Sequence, residues 1–477
     1  MDKRFILALV LFFLLCLVTL PPATVKAASK TITVPTDYQT ISDAIGNATS
    51  GDIILVKSGN YTEQTIEINK SLTIMPEHNG VTINFHPPQI PENIFGTIMM
   101  VYVDPISIEA NDVKLSGFNI TSDGGHISAN GNQIQIINNS IGTEQIQVNG
   151  TGTQIIGNTM TKYSQLSLAG SNETVADNYL SGLSITGSFS SITRNNAGSI
   201  TLSGSENTVA GNSVNVNMFN GNNGNTGIEL NGNYNIIVNN TEIGNAEGMG
   251  VGDAVNAVAS YNIFAGNKIE ESGLWGILMG SGSYNVFYGN LIADNGGLGH
   301  DGYGLALGEE DSASATNNLF FGNIFMNNSK NFGTNWQVLG SNSFDNGKEG
   351  NYWDDYSVKY PTATEVDASG VGNIPYLVYG SITDNYPLIT MPNVSYAVPS
   401  LPYPWSSLLS SIFSQLPCIT STVPEFPTNT VPDTDAIPIS TIFNEFIFVV
   451  VIILAVVLSL LFYRRHLKQV KRRKRLE

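Results

Sequence analysis

A short phrase recurs along the middle of this chain: Asn262-Ile-Phe-Ala-Gly-Asn267, Asn285-Val-Phe-Tyr-Gly-Asn290 and Asn318-Leu-Phe-Phe-Gly-Asn323. Related copies precede it at Asn207-Thr-Val-Ala-Gly-Asn212 and Asn235-Ile-Ile-Val-Asn-Asn240. Weaker ones begin at Ile134, Thr153, Glu173 and Ser190. Successive starts lie 17 to 33 residues apart, a spacing that marks a solenoid. Each phrase is a β-prone run closed by Gly-Asn or Asn-Asn, residues that tolerate the left-handed backbone of a sharp corner. Segments such as Ile134-Gln-Ile-Ile137 and Ser184-Ile-Thr-Gly187 alternate apolar and polar residues, as a strand with one buried face does.

This pattern excludes most repeat folds. No repeat segment has a long helical period, the spacing of leucine-rich repeats is absent, and a propeller blade needs about 40 residues or more. The chain holds 53 Asn and 47 Gly in 477 residues, and both are poor helix formers, which rules out a helical bundle or coiled coil. What fits is an all-β fold, a parallel β-helix whose coils stack about 4.8 Å apart around a column of Ile, Val, Leu and Phe. Asn at equivalent corners is expected to bond along the axis. With about 10 to 13 coils the rod would be ~50–60 Å long. Its open ends need covers. Ile41, Ala44, Ile45 and Ala48 fall on one face of an amphipathic helix, suited to an N-terminal cap. Residues 350–390 leave the repeat and carry Tyr352, Trp353, Tyr356, Tyr376 and Tyr386, which reads as a C-terminal cap.

The flanks place this rod outside a cell. Residues 1–28 read as a signal peptide, with Lys3 and Arg4 before an apolar stretch and Ala27 or Ala28 at the cleavage point. Phe446 to Tyr463 is 18 residues without a charge, about 27 Å as a helix and close to a bilayer's hydrocarbon thickness. Eight Lys and Arg follow it, which orients that end inward. The expected organisation is residues 29–105 as cap and first coils, 106–349 as repeats, 350–390 as the second cap and 391–441 as a Pro/Ser/Thr-rich stalk. A transmembrane helix over 442–463 and a basic cytoplasmic tail over 464–477 complete it. Residues 28–441 carry 10 Lys+Arg against 36 Asp+Glu, a net of −26. Such a surface repels nucleic acid. With the signal removed Cys418 stands alone, so no intrachain disulfide forms. Glycosylation sequons fall at Asn47, Asn60, Asn69, Asn119, Asn138, Asn149, Asn172, Asn239, Asn327 and Asn393.

Two stretches carry a resemblance. Val34-Pro-Thr-Asp-Tyr-Gln-Thr-Ile-Ser-Asp-Ala-Ile45 and Gly51-Asp-Ile-Ile-Leu-Val-Lys-Ser-Gly-Asn-Tyr-Thr-Glu63 resemble the opening of pectin-lyase-like right-handed β-helix proteins. Gly350-Asn-Tyr-Trp-Asp-Asp-Tyr356, with Gly372-Asn-Ile-Pro-Tyr376 and Asp384-Asn-Tyr-Pro-Leu388, is similar to the NosD-type "periplasmic copper-binding" family. The resemblance covers about residues 31–390. It implies a right-handed, extracytoplasmic β-helix and, for the name-giving members, a part in copper-site maturation. Related β-helices bind or cleave polysaccharides, and fold alone does not choose among these.

The residues themselves offer three chemistries. Copper wants clustered Cys, Met and His, but outside the leader there are one Cys and four dispersed His upstream of the span (His78, His86, His126, His300), with Met99 and Met100 adjacent and so on opposite faces of a strand. Residue content therefore argues against copper, and no cofactor is predicted. Polysaccharide chemistry would centre on His300, Asp301, Glu309 and Glu310 as acid–base candidates, with Trp275 and Tyr303 as sugar-stacking aromatics. The Asn-Thr-Asp and Gly-His-Gly patterns of polygalacturonase-type hydrolases are absent, and Arg194 is the one Arg of the exterior, against the Arg clamps of pectate lyases. Calcium is the third, with Asp253, Asp294 and Asp311 as candidate oxygen ligands. The expectation is a membrane-anchored cell-surface protein with a structural, adhesive or glycan-binding role, its partners cell-surface glycans or envelope proteins. The alternatives are a polysaccharide-active hydrolase, lyase or epimerase, and a copper accessory protein.

Overall fold

The computed structural model describes residues 29–94, 97–160, 164–215, 226–252, 258–297, 302–308, 315–334 and 341–392. All fall in the unit Ala27–Thr420. The leader, stalk, apolar span and basic tail lie outside the described residues. Among the described residues no helix is long and apolar enough to cross a membrane.

Three long parallel sheets of 13, 13 and 12 strands make up the body. Sheet 1 runs from Thr31–Val34 to Leu319–Phe321, sheet 2 from Gly59–Glu63 to Tyr352–Trp353, and sheet 3 from Ile66–Ile68 to Phe332–Thr334. From Ile53–Val56 onward the chain visits the sheets in that order on each coil and stacks in register on the coil before, the arrangement of a parallel β-helix. Strands are short because each turn must bend three times.

The interior is a set of side-chain columns. In sheet 1 one register runs Ile32, Ile54, Ile74, Leu115, Ile136, Ile155, Val175, Ile192, Val209, Ile237, Phe264, Phe287, Phe320. The aliphatic column becomes an aromatic stack, Phe264, Phe287, Phe320 and Phe344, with ring centroids 4.4, 4.7 and 5.0 Å apart. Those spacings approach the inter-strand distance, so the stack costs the backbone nothing.

Asn ladders hold the corners. Asn139, Asn158, Asn178, Asn195, Asn212, Asn240, Asn267, Asn290, Asn323 and Asn351 occupy one corner between sheets 1 and 2, all buried. Asn240 shows the logic. Its Oδ1 accepts the backbone N–H and the Nδ2 of Asn212, both at 2.9 Å. Its own Nδ2 donates to Val209 O at 2.9 Å and to Asn267 Oδ1 at 3.0 Å. A buried amide thus finds partners above and below, which is what makes its burial tolerable. The residue before each of the first nine rungs adopts positive φ, as at Asn239 (52°), Gly266 (63°) and Gly289 (61°). The Gly-Asn punctuation of the sequence is therefore a left-handed corner followed by a ladder rung. A second ladder runs through Asn207, Asn235, Asn262, Asn285, Asn318 and Asn342. Upstream Glu173 and Ser190 take the same position, accepting the backbone N–H of Thr153 and Glu173. Two of the weaker sequence copies are thus rungs with a different acceptor.

At the start of the chain, helix α1 (Ile41–Asn47) buries Ile41, Ala44 and Ile45. Thr40 Oγ1 accepts from Asp43 N at 3.0 Å, and Glu63 accepts Ile41 N at 2.7 Å. Lys70 Nζ donates to the carbonyls of Ile45, Gly46 and Ala48 at the other end, so both helix termini are satisfied. At the far end the first ladder terminates in a carboxylate. Asp384 Oδ2 accepts Asn351 N at 2.7 Å and Trp353 Nε1 at 2.9 Å. The Trp353 ring lies between Phe325 and Tyr376, 4.5 Å from each. A Cβ on Gly350 would sit 1.8 Å from Asp384 Oδ1, so only glycine admits this contact.

Candidate functional site

The outward face of sheet 3 gathers the aromatic candidates. Thr226, Glu247, Trp275 and Tyr303 occupy one register row on four successive coils. The two aromatics predicted to stack on sugar, 28 residues apart in sequence, are thus neighbours about 4.8 Å apart along the axis. All four side chains are half-buried. Thr226 Oγ1 donates to Glu247 Oε2 at 3.1 Å. The Tyr303 ring packs on Gly333, where a Cβ would lie 2.2 Å from it. Lys330 Nζ sits 5.3 Å from the Tyr303 ring centroid, within cation–π reach. The indole N–H of Trp275 is buried and has no acceptor. The row therefore offers two aromatic bodies, a carboxylate one coil to one side and an ammonium on the other. This combination suits a polyhydroxylated ligand with apolar ring faces better than a bare anion.

Nearer the N-terminus the same face is polar and almost without charge. Ser107, Ser128, Gln147, Ser167, Ser184 and Thr201 share one register row. By contrast, the tyrosines Tyr234, Tyr261 and Tyr284 at the corner before sheet 1 stack face to face at 5.1 Å. Their ring faces are spent on each other, which leaves hydroxyls and edges outward.

The remaining candidates separate into those placed and those not. His300, Asp301, Glu309 and Glu310 lie outside the described residues, as do Asp253 and Asp311. Asp294 is exposed at a corner after sheet 2, with φ of 57°. Among the described residues no three His, Cys, Asp or Glu form a group able to hold a metal ion. Of the ten sequons, Asn393 lies outside the described residues. Asn239 is half-buried, and Asn47, Asn60, Asn69, Asn119, Asn138, Asn149, Asn172 and Asn327 are exposed. None of the nine is a rung of the two long ladders. Arg194 is bound to Asp177 through two 2.8 Å contacts on adjacent corners.

One buried residue escaped the sequence reading. Glu242 stands in the inward column of sheet 2, between Val214 and Ile269, fully buried. Neither carboxyl oxygen makes a well-formed hydrogen bond. Burial pushes this acid well above the usual carboxylate range, the backbone at Ile228 opposing only weakly. Burial thus favours its protonated form. Its signal was present: Thr241-Glu-Ile243 aligns with Lys268-Ile-Glu270 one coil on, where the equivalent position is apolar.

The family model described as "Periplasmic copper-binding protein (NosD)" matches residues 116–358, just over half of the sequence. The chain belongs to the NosD family. No curated protein sequence matches this NosD-family chain. Similar solved structures include a mannuronic-acid-specific family 6 polysaccharide lyase from human gut microbiota, at 15% identity over 68% of this chain and 86% of that one, TM-score 0.48. The periplasmic alginate epimerase AlgG aligns at 13% identity over 64% and 84%, TM-score 0.37. The Azotobacter vinelandii mannuronan C-5 epimerase AlgE6 A-module aligns at 10% over 63% and 92%, TM-score 0.41. The family description raises copper, and the described residues of this NosD protein do not fit it. His86 and His126 are each engaged with a carboxylate, Asp123 at 2.6 Å and Asp104 at 3.6 Å. His78 is exposed, and Met99 and Met100 point to opposite faces of an exposed strand.

Proposed function

We propose that this protein is a cell-surface NosD-type β-helix that binds glycan along the outward face of sheet 3 without catalysing its turnover. The observation that carries this reading is the pairing of partly buried Trp275 and Tyr303 on adjacent coils, flanked by Glu247 and Lys330. Aromatic faces stack on sugar rings, and a neighbouring carboxylate orients hydroxyls. Rungs repeating about 4.8 Å apart form a rigid rail on which an extended chain lies without an ordering cost in the protein. Helix α1 and the aromatic cluster around Trp353 serve as end covers. The apolar run 446–463 anchors the rod, with the basic tail on the cytoplasmic side. Sugars on the exposed sequons would leave the ladders untouched.

A glycan array probed with the full chain tests the proposal. Binding to extended polysaccharides that Trp275→Ala abolishes supports it. Time-dependent appearance of unsaturated, epimerised or shortened product, lost in His300→Ala, would move the protein to the enzyme class.

A further inference from the structure

A hairpin interrupts the coils between sheets 2 and 3. Gln89–Ile94 pairs antiparallel with Thr97–Tyr102, Gln89 opposite Tyr102 and Ile94 opposite Thr97. It belongs to none of the three long sheets. Its side chains are largely in solvent although several are apolar: Ile98 is 74% exposed, Met100 56%, Met99 51% and Ile90 49%. An isolated two-stranded hairpin is marginal by itself, so its root is held. His86 Nδ1 contacts Asp123 at 2.6 Å before the first strand, and Asp104 accepts His126 N at 3.2 Å after the second.

The two outer edges are built differently. Val103 N donates to Pro88 O at 2.9 Å. The alternation of an antiparallel ladder then turns the backbone groups of Ile98, Met100 and Tyr102 away from the hairpin on one edge, and those of Gln89, Pro91 and Asn93 on the other. The second edge is guarded, since Pro91 lacks a donor and Glu92 adds charge beside it. Thr97-Ile-Met-Met-Val-Tyr102 has neither proline, glycine nor charge. The outward backbone groups of Ile98, Met100 and Tyr102 make no hydrogen bond among the described residues. Such an open, β-prone edge is a template for strand addition.

We infer that the Thr97–Tyr102 edge pairs with the same edge of a second copy of this chain, forming a two-fold, four-stranded antiparallel sheet. The register follows from which groups point outward. Met100 lies opposite Met100 of the second copy, and Ile98 lies opposite Tyr102 of the second copy in hydrogen-bonded pairs. Met99 and Val101 meet on the opposite face. A second copy is favoured over a foreign strand by this self-complementarity. Each exterior carries −26, which opposes self-association, but the hairpin brings a single charge, Glu92, so repulsion at this edge itself is small.

The test uses the full chain in detergent, with Cys16→Ser and Cys418→Ser. Antiparallel hydrogen-bonded pairs place Cα atoms about 5.5 Å apart, within disulfide reach. Met100→Cys is expected to give a covalent dimer on mild oxidation at least 10-fold faster than Glu92→Cys on the guarded edge. In sedimentation, the unmodified chain is expected to show a concentration-dependent dimer that Met100→Lys weakens at least 10-fold with an unchanged melting temperature. A chain that stays monomeric to about 100 μM, or a dimer indifferent to Met100→Lys, or equal cross-linking from both edges, overturns the inference.

Discussion

The indole Nε1 of Trp353 donates to Asp384 Oδ2 at 2.9 Å, and that oxygen is also the last acceptor of the Asn ladder. One carboxylate therefore finishes a row of ten amides and fixes the ring that covers the core. Asp384→Ala removes both functions and leaves buried donors on Asn351 and Trp353. The expected cost is about 3–5 kcal/mol, read as a lower denaturation midpoint. Gly350→Ala forces a methyl against the same carboxylate and is expected to cost about 1–3 kcal/mol or more. A melting temperature unmoved by either substitution would remove Asp384 from this role.

Mid-ladder, Asn240→Ala deletes an amide with four hydrogen-bond contacts and strands the backbone N–H of Asn212. A loss of about 2–5 kcal/mol follows. Asn239→Ala next to it touches only the left-handed corner, and about 1–2 kcal/mol is expected there. Chemical denaturation of the two variants side by side separates ladder from corner.

Stability should fall as pH rises from 5 to 8. Burial raises Asp384 to about 7 and Glu173 to about 8, and pushes Glu242 up as well. All three folded values exceed the unfolded carboxyl range near 4 to 4.5. The folded state therefore keeps protons that the unfolded chain releases, and each step of pH above that range favours unfolding until the folded groups ionise. Melting temperatures measured at pH 5 and pH 8 are expected to differ in that order. Glu242→Gln, which keeps the shape and removes the ionisation, is expected to shrink the difference. An equal slope for the variant would mean that Glu242 is charged in the folded protein.

On sheet 3, Trp275→Ala should cost at least 10-fold in glycan affinity, read on the folded fraction because the ring is partly buried. Tyr303→Phe keeps the ring on Gly333 and should preserve most binding. Calorimetric titration of both with a glycan that the array selects provides the comparison.

The coil boundaries were legible because two local requirements coincide at each, a left-handed residue and a buried amide, and Gly-Asn supplies both. The same logic could have found the end of the ladder, since Asn351 to Asp384 spans 33 residues, as does Asn290 to Asn323. Carboxylate for amide hid it. Trp275 and Tyr303 were legible as one coil apart, with the intervening strand order needed to put them on one row. The hairpin at residues 89–102 was not legible, because alternation alone does not say whether a strand joins the stack or leaves it. Met99 and Met100, expected on opposite faces of a strand, do alternate, but both stand exposed on the hairpin. Glu242 was hidden for a related reason: a charged letter at an inward position reads as a break in the pattern until the register is known.

Ladder geometry is indifferent to how far the chain travels between rungs. Asn178 to Asn195 takes 17 residues and Asn290 to Asn323 takes 33, yet the amide contacts are 2.9 and 2.8 Å. Excursions can lengthen, shorten or be exchanged without re-engineering the axis. New recognition elements are thus acquired as insertions on an unchanged spindle, one turn at a time.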